Sequence, residues 1–233
     1  MSFQRLAGIA GVVFVALMVL NGALLGDQPV ADDSIGQVRS YVSADEGMHK
    51  TGFFIGLLVL PVAVLFFAGL VTRIRESDLA HGEGWSVVTL LGAVLLGAAG
   101  GVGDVLYGLT IYRGGDGLDD STLRAFWDGQ GIAYATMGAA LTALAVGVAV
   151  PVLERGIWPV WYGLLSVLVA VLGIATLVGA VSDTSSAWVF VGFLAMAVWT
   201  LVTGIVLIVT APSSATAGRP VPPSVPRTPA MPA

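Results

Sequence analysis

The chain has 233 residues, of which 56% are hydrophobic and 11% charged, with a formal net charge of −5 and no cysteine. About a quarter of the residues of a soluble domain carry charge, so water is not the main solvent of this chain. The missing cysteines exclude disulfides, thiolate catalysis and Cys-ligated metal centres, and a negative chain with no basic patch has no means of binding nucleic acid.

The first apolar run, Leu6 to Leu25, contains only Asn21 as a strongly polar side chain and is long enough to cross about 30 Å of hydrocarbon as a helix. Its rival reading, a cleaved signal peptide, has against it the long apolar core, a basic region reduced to Arg5 and no small-residue cleavage site before Asp27. Further spans are expected at about 52–71 with Pro61 inside, 85–112 through a glycine-rich stretch, 132–153, 157–180 and 187–209. Proline and glycine are tolerated within such helices because neighbouring helices keep the backbone bonded. The expected fold is therefore an all-α membrane protein with one helical domain over residues 1–211 and six transmembrane helices. From 212 to 233 seven prolines stand among small and polar residues, which reads as a disordered or polyproline tail.

Six spans put both termini on one side. Arg5, Arg73, Arg75, Arg155, Arg219 and Arg227 share that side, against Arg39, Lys50, Arg113 and Arg124 on the other, so the positive-inside rule gives the termini to the cytoplasm. The expected location is the cell membrane. Acids such as Asp27, Asp32, Asp33, Asp116, Asp119 and Asp183 fall outside, and Trp85, Trp158, Trp161 and Trp188 mark span ends, where amphipathic rings favour the interface.

Two outer loops resemble each other. DDSIGQVRSYV from Asp32 and DDSTLRAFWD from Asp119 each offer an Asp or Ser cap followed by apolar residues at helical spacing: Ile35, Val38 and Val42, then Leu123, Phe126 and Trp127. Two short amphipathic helices on the outer surface are expected. The unit of span, acidic surface helix and span would then occur twice, over 6–71 and 85–153, as a parallel repeat about the membrane normal.

Asp104, in GAAGGVGDVLYG, is the one candidate intramembrane polar site, because a carboxylate in a membrane segment costs several kcal/mol unless it is paired, hydrated or protonated. At about 1.5 Å per residue from Trp85 it sits near the outer boundary. Arg113, Arg124 and Lys50 are the cationic partners within reach, and proton or cation handling is the functional alternative to a structural role. Gly97 and Gly101 make a small-xxx-small step expected to serve helix packing, and the glycines of this segment do not form a dinucleotide site, since no strand precedes them. Asn21, Thr136, Thr142, Ser166, Thr200 and Thr203 are scattered through the spans and are expected to bond backbone carbonyls or neighbouring helices. His49 and His81 fall on opposite sides of the membrane and cannot share a metal. No catalytic residue, metal ligand or cofactor site is identified, and the expected company is the lipid bilayer together with a second copy or another membrane protein.

The order RLAG at Arg5 to Gly8, an acidic segment ending in a Tyr-containing helix, LRAFWD at Leu123 to Asp128 and RGIWPVWYG at Arg155 to Gly163 resembles uncharacterised actinobacterial multi-pass integral membrane proteins. The resemblance covers roughly residues 5 to 181 and implies a six-span helical protein without assigning an activity. The expected function is non-enzymatic, in interaction, assembly or envelope homeostasis. A small transporter or channel using Asp104 is the alternative, and a lipid-acting enzyme the third.

Overall fold

The computed structural model describes residues 1–30, 33–114, 117–181 and 185–211, so the proline-rich segment and Asp32, Asp116 and Asp183 lie outside the described residues. Among the described residues there are seven helices and no strand: α1 (Phe3–Leu25), α2 (Ile35–Ala44), α3 (Glu46–His81), α4 (Trp85–Arg113), α5 (Asp120–Arg155), α6 (Val160–Val181) and α7 (Ser185–Val209). All but α2 are long and apolar enough to cross a membrane.

Local chemistry sets the helix ends. Ser2 caps α1 by accepting the Arg5 N–H at 3.3 Å, and Ser34 forms a full capping box with Gln37 at the start of α2. Gly82 and Gly156 end α3 and α5 in the left-handed conformation, with φ of 71° and 63°. The second expected surface helix is not separate. Residues from Asp120 onward are the first turns of α5, because Leu123, Trp127 and Gln130 continue the buried stripe of that helix in phase and the glycines at 129 and 131 do not interrupt it. Between α2 and α3, by contrast, Asp45 leaves helical geometry with φ −148° and ψ 61°, so the chain turns there.

The six long helices close a ring. α1 packs on α3, α3 on α4, α4 on α5, α5 on α6, α6 on α7 and α7 back on α1, while α5 also touches α3 and α7. Two unlike halves result. Towards the end that carries Arg155, Phe14, Phe66, Leu70, Leu144, Trp199 and their neighbours form a continuous apolar core. At the other end a smaller cluster of Val38 and Val42 from α2 with Tyr107, Ile111, Leu123 and Trp127 holds α2 across the ends of α4 and α5.

Close approach comes from glycines other than those expected. A Cβ on Gly97 or Gly101 would meet nothing within 4 Å, so the small-xxx-small step faces away from the bundle. The tight contacts lie elsewhere: a Cβ on Gly92 would stand 2.5 Å from the Leu144 backbone nitrogen, and one on Gly8 would stand 2.6 Å from the Gly204 carbonyl oxygen.

Candidate functional site

Within the spans, polar side chains mostly tie helices together. Thr142 Oγ1 donates to Gly138 O at 2.9 Å on its own helix and lies 3.0 Å from Ala170 O on α6. Trp199 Nε1 donates to Ser166 Oγ at 3.0 Å, and the Tyr162 and Thr203 hydroxyls meet at 2.7 Å, joining α6 to α7. Thr136 bonds the Ala133 carbonyl at 2.7 Å, and Thr203 that of Trp199 at 2.6 Å. Asn21 Oδ1 and Thr200 Oγ1 depart from this pattern, being buried without a hydrogen-bond partner.

Asp104 lies partly buried on α4, and Oδ1 accepts the Tyr134 hydroxyl proton of α5 at 2.8 Å. Two of the three cations expected as partners, Lys50 and Arg124, are engaged elsewhere. Lys50 pairs with Glu46 and sits over the Tyr112 ring, while Arg124 donates to the Asp33 carbonyl at 2.6 Å and lies 3.7 Å from Asp128. The neighbour of the carboxylate is thus a neutral phenol rather than a cation.

Closer to α2, buried His49 joins a second polar group. Its Nε2 lies 3.0 Å from the Tyr41 carbonyl, which can only accept, so Nε2 carries a proton, and Nδ1 lies 3.5 Å from the Tyr107 hydroxyl. Tyr41 donates to the Leu25 carbonyl at 2.9 Å and lies 3.4 Å from the Tyr107 oxygen. Burial pushes the Tyr41 phenol above its ordinary pKa, an effect the Tyr107 hydrogen bond only partly offsets, which keeps it a neutral donor. Both histidines lie in α3, at its first and last turns.

At the opposite end stands an ion cluster that the sequence did not single out. Arg155 Nη1 donates to Asp78 Oδ1 and to Ser77 Oγ, each at 3.1 Å, and Nη2 pairs with Glu83. Asp78 Oδ2 accepts the Ser86 N–H at 2.6 Å, and the Trp85 indole N–H donates to Glu83 at 2.6 Å. The Arg155 and Asp78 side chains are only 5% and 4% exposed, so this cluster clamps the α3–α4 turn to the end of α5. Its sequence signal was two acids and an arginine at neighbouring span boundaries on the same side. Nearby, Trp158 is buried edge-on against Tyr162 at 5.4 Å between ring centres, rather than lying at an exposed interface.

The chain matches no family model, no curated protein and no solved structure.

Proposed function

We propose that this chain is a multi-pass integral protein of the cell membrane, with both termini in the cytoplasm and a non-enzymatic role in interaction or assembly, akin to the actinobacterial proteins it resembles. The observation that carries this reading is the use made of the intramembrane polar groups: Thr142, Ser166, Tyr162, Thr203 and Trp199 bind helix to helix. They stabilise a fixed scaffold, and α2 lies across one end of it with Gln37, Ser40 and Ser43 exposed. On the arginine bias that end faces outward.

Reporter fusions after Arg75, Gly115 and Ala233 test the orientation, with cytoplasmic, external and cytoplasmic signals expected; any other order removes it. A photo-crosslinker at Ser40 or Ser43 tests the role. A discrete envelope-protein adduct supports it, whereas adducts to lipid alone, with lipid turnover by the purified protein, would replace it with the enzyme reading.

A second reading, a small transporter or channel for a proton or cation, is favoured by one observation: Asp104 is bonded to the neutral Tyr134. It expects Asp104→Asn to abolish flux in proteoliposomes while folded protein is retained.

A further inference from the structure

A cavity of about 190 Å³ opens at one end of the α1–α3 seam, lined by Ser2, Phe3 and Gln4 and by Thr72, Arg73 and Glu76. A single water needs only about 10–15 Å³, so a polyatomic group fits. On the bilayer side the two helices close together, where a Cβ on Gly69 would stand 2.1 Å from the Ala7 Cβ. On the other side α1 begins, while α3 runs on to His81. The cavity therefore stands at the level where the apolar run of α1 starts, which is the level of lipid headgroups.

Both signs of charge line this one space, and each has an open side. Arg73 donates from Nη1 to Glu76 Oε2 at 2.6 Å, which leaves Nη2 without an acceptor and Glu76 Oε1 without a donor. Arg73 Nε is moreover buried with no hydrogen-bond partner, so the whole Nε–Nη2 edge lacks its acceptor. Ser2 Oγ accepts the Arg5 N–H, and its own proton remains to be given. Arg5 and Leu6 take Ser2 oxygens, so the amides left over in the first turn of α1 are those of Phe3 and Gln4. Thr72 gives its proton to the Ala68 carbonyl and keeps lone pairs to accept with.

We propose that this cavity binds the headgroup of an aminophospholipid, a phosphodiester carrying a primary ammonium. The phosphate takes the open side of Arg73, the Ser2 hydroxyl and the free amides of α1, where the helix dipole also favours an anion. The ammonium takes Glu76 Oε1 and Thr72 Oγ1. A purely anionic headgroup would leave Glu76 facing a like charge. Exposed Phe3, Leu6, Ile9 and Val13 run down α1 from the cavity and offer the acyl chains an apolar surface. The site rests on the bilayer reading of the chain but on neither its orientation nor its interaction role, so losing the site leaves those two standing.

The test is native mass spectrometry of the full chain released from mixed micelles of equimolar phosphatidylethanolamine, phosphatidylcholine and phosphatidylglycerol. One phosphatidylethanolamine should be retained over each of the others by about tenfold. Phosphatidylcholine keeps the phosphate and the cation without an N–H, and phosphatidylglycerol keeps the phosphate without the cation. Glu76→Gln should bring phosphatidylglycerol level with phosphatidylethanolamine, and Arg73→Gln should lower retention of phosphatidylethanolamine at least about tenfold. Both side chains are at least a third exposed, and thermal unfolding checks that the variants fold. Should either fail, Thr72→Val removes one acceptor and should cut the preference at least about threefold. Soluble glycerophosphoethanolamine, added to the protein in phosphatidylcholine nanodiscs, separates the sources of this headgroup. A saturable rise in the unfolding midpoint that Arg73→Gln abolishes gives the cavity to a soluble ester; no rise, with the lipid preference intact, gives it to the membrane. Equal retention of the three lipids with no response to the soluble ester, a wild-type preference for phosphatidylglycerol, or variants that keep the wild-type order would overturn the proposal.

Discussion

Removing Arg155 should damage the protein more than removing Arg155 and Asp78 together. Both side chains are about 95% buried, whereas Glu83, the other partner of the guanidinium, is 42% exposed. In Arg155→Met, Asp78 keeps only Ser86 as a donor, through its N–H and its hydroxyl, and an uncompensated buried charge costs about 3–5 kcal/mol. Asp78→Asn keeps an oxygen for Ser86 and leaves Arg155 with Glu83 and Ser77, so its cost falls to about 1–3 kcal/mol. The double variant has no buried charge left without its counterion and should also lie near 1–3 kcal/mol, which gives a coupling of roughly 3–5 kcal/mol. Unfolding by SDS titration from mixed micelles, followed by tryptophan fluorescence, measures all four corners of the cycle. A loss below about 1 kcal/mol for Arg155→Met, or a double variant as damaged as the sum of the singles, would refute the clamp.

Gly92→Ala places a methyl 2.5 Å and 2.7 Å from backbone atoms of Leu144, which cannot swing aside, so α4 and α5 must part at a cost of about 1–3 kcal/mol in the same titration. Gly97→Ala, whose methyl meets nothing within 4 Å, should be neutral or stabilising by up to about 1 kcal/mol. At the start of α5, hydrogen bonds from Ser121 and Thr122 hold the Asp119 carboxyl below the ordinary carboxylate range. Its capping contribution is therefore complete above about pH 4 and disappears as the pH falls through the lower folded value. Hydrogen exchange at the Thr122 amide should be faster in Asp119→Ala than in wild type at pH 6, with the difference gone at the acid limit; a difference that persists there would contradict this.

The long helices were legible in the sequence because hydropathy over twenty residues is a strong, local signal, and a helix at α2 because a capping residue precedes Ile35, Val38 and Val42 at helical spacing. Less local features were not. Residues 119–128 look like a separate surface helix, since an Asp or Ser cap and helical apolar spacing precede a span expected to start at 132; only the shared phase of Leu123, Trp127 and Gln130 with that span reveals one helix. Glycine spacing says that helices can approach but not which face does so, hence the error over Gly97 and Gly101. The partner of Asp104 lies thirty residues away on another helix, and a tyrosine is not distinguished there from any other aromatic residue of a span. Asp78 and Arg155 are 77 residues apart, and each passed for an ordinary charge at a membrane boundary.

The ring is fastened where the first helix meets the last. The Gly8 and Gly204 backbones approach so closely that a Cβ on either would collide with the carbonyl of the other, yet nearly two hundred residues separate them. A chain inserted from its N-terminus holds α1 in the bilayer against α3 alone until α7 has been synthesised. Throughout that interval the Gly8 face of α1 is exposed to whatever else occupies the membrane. The order of synthesis therefore makes completion of the last helix the step that commits the bundle to its final form, and a chain truncated before α7 is left with an open seam.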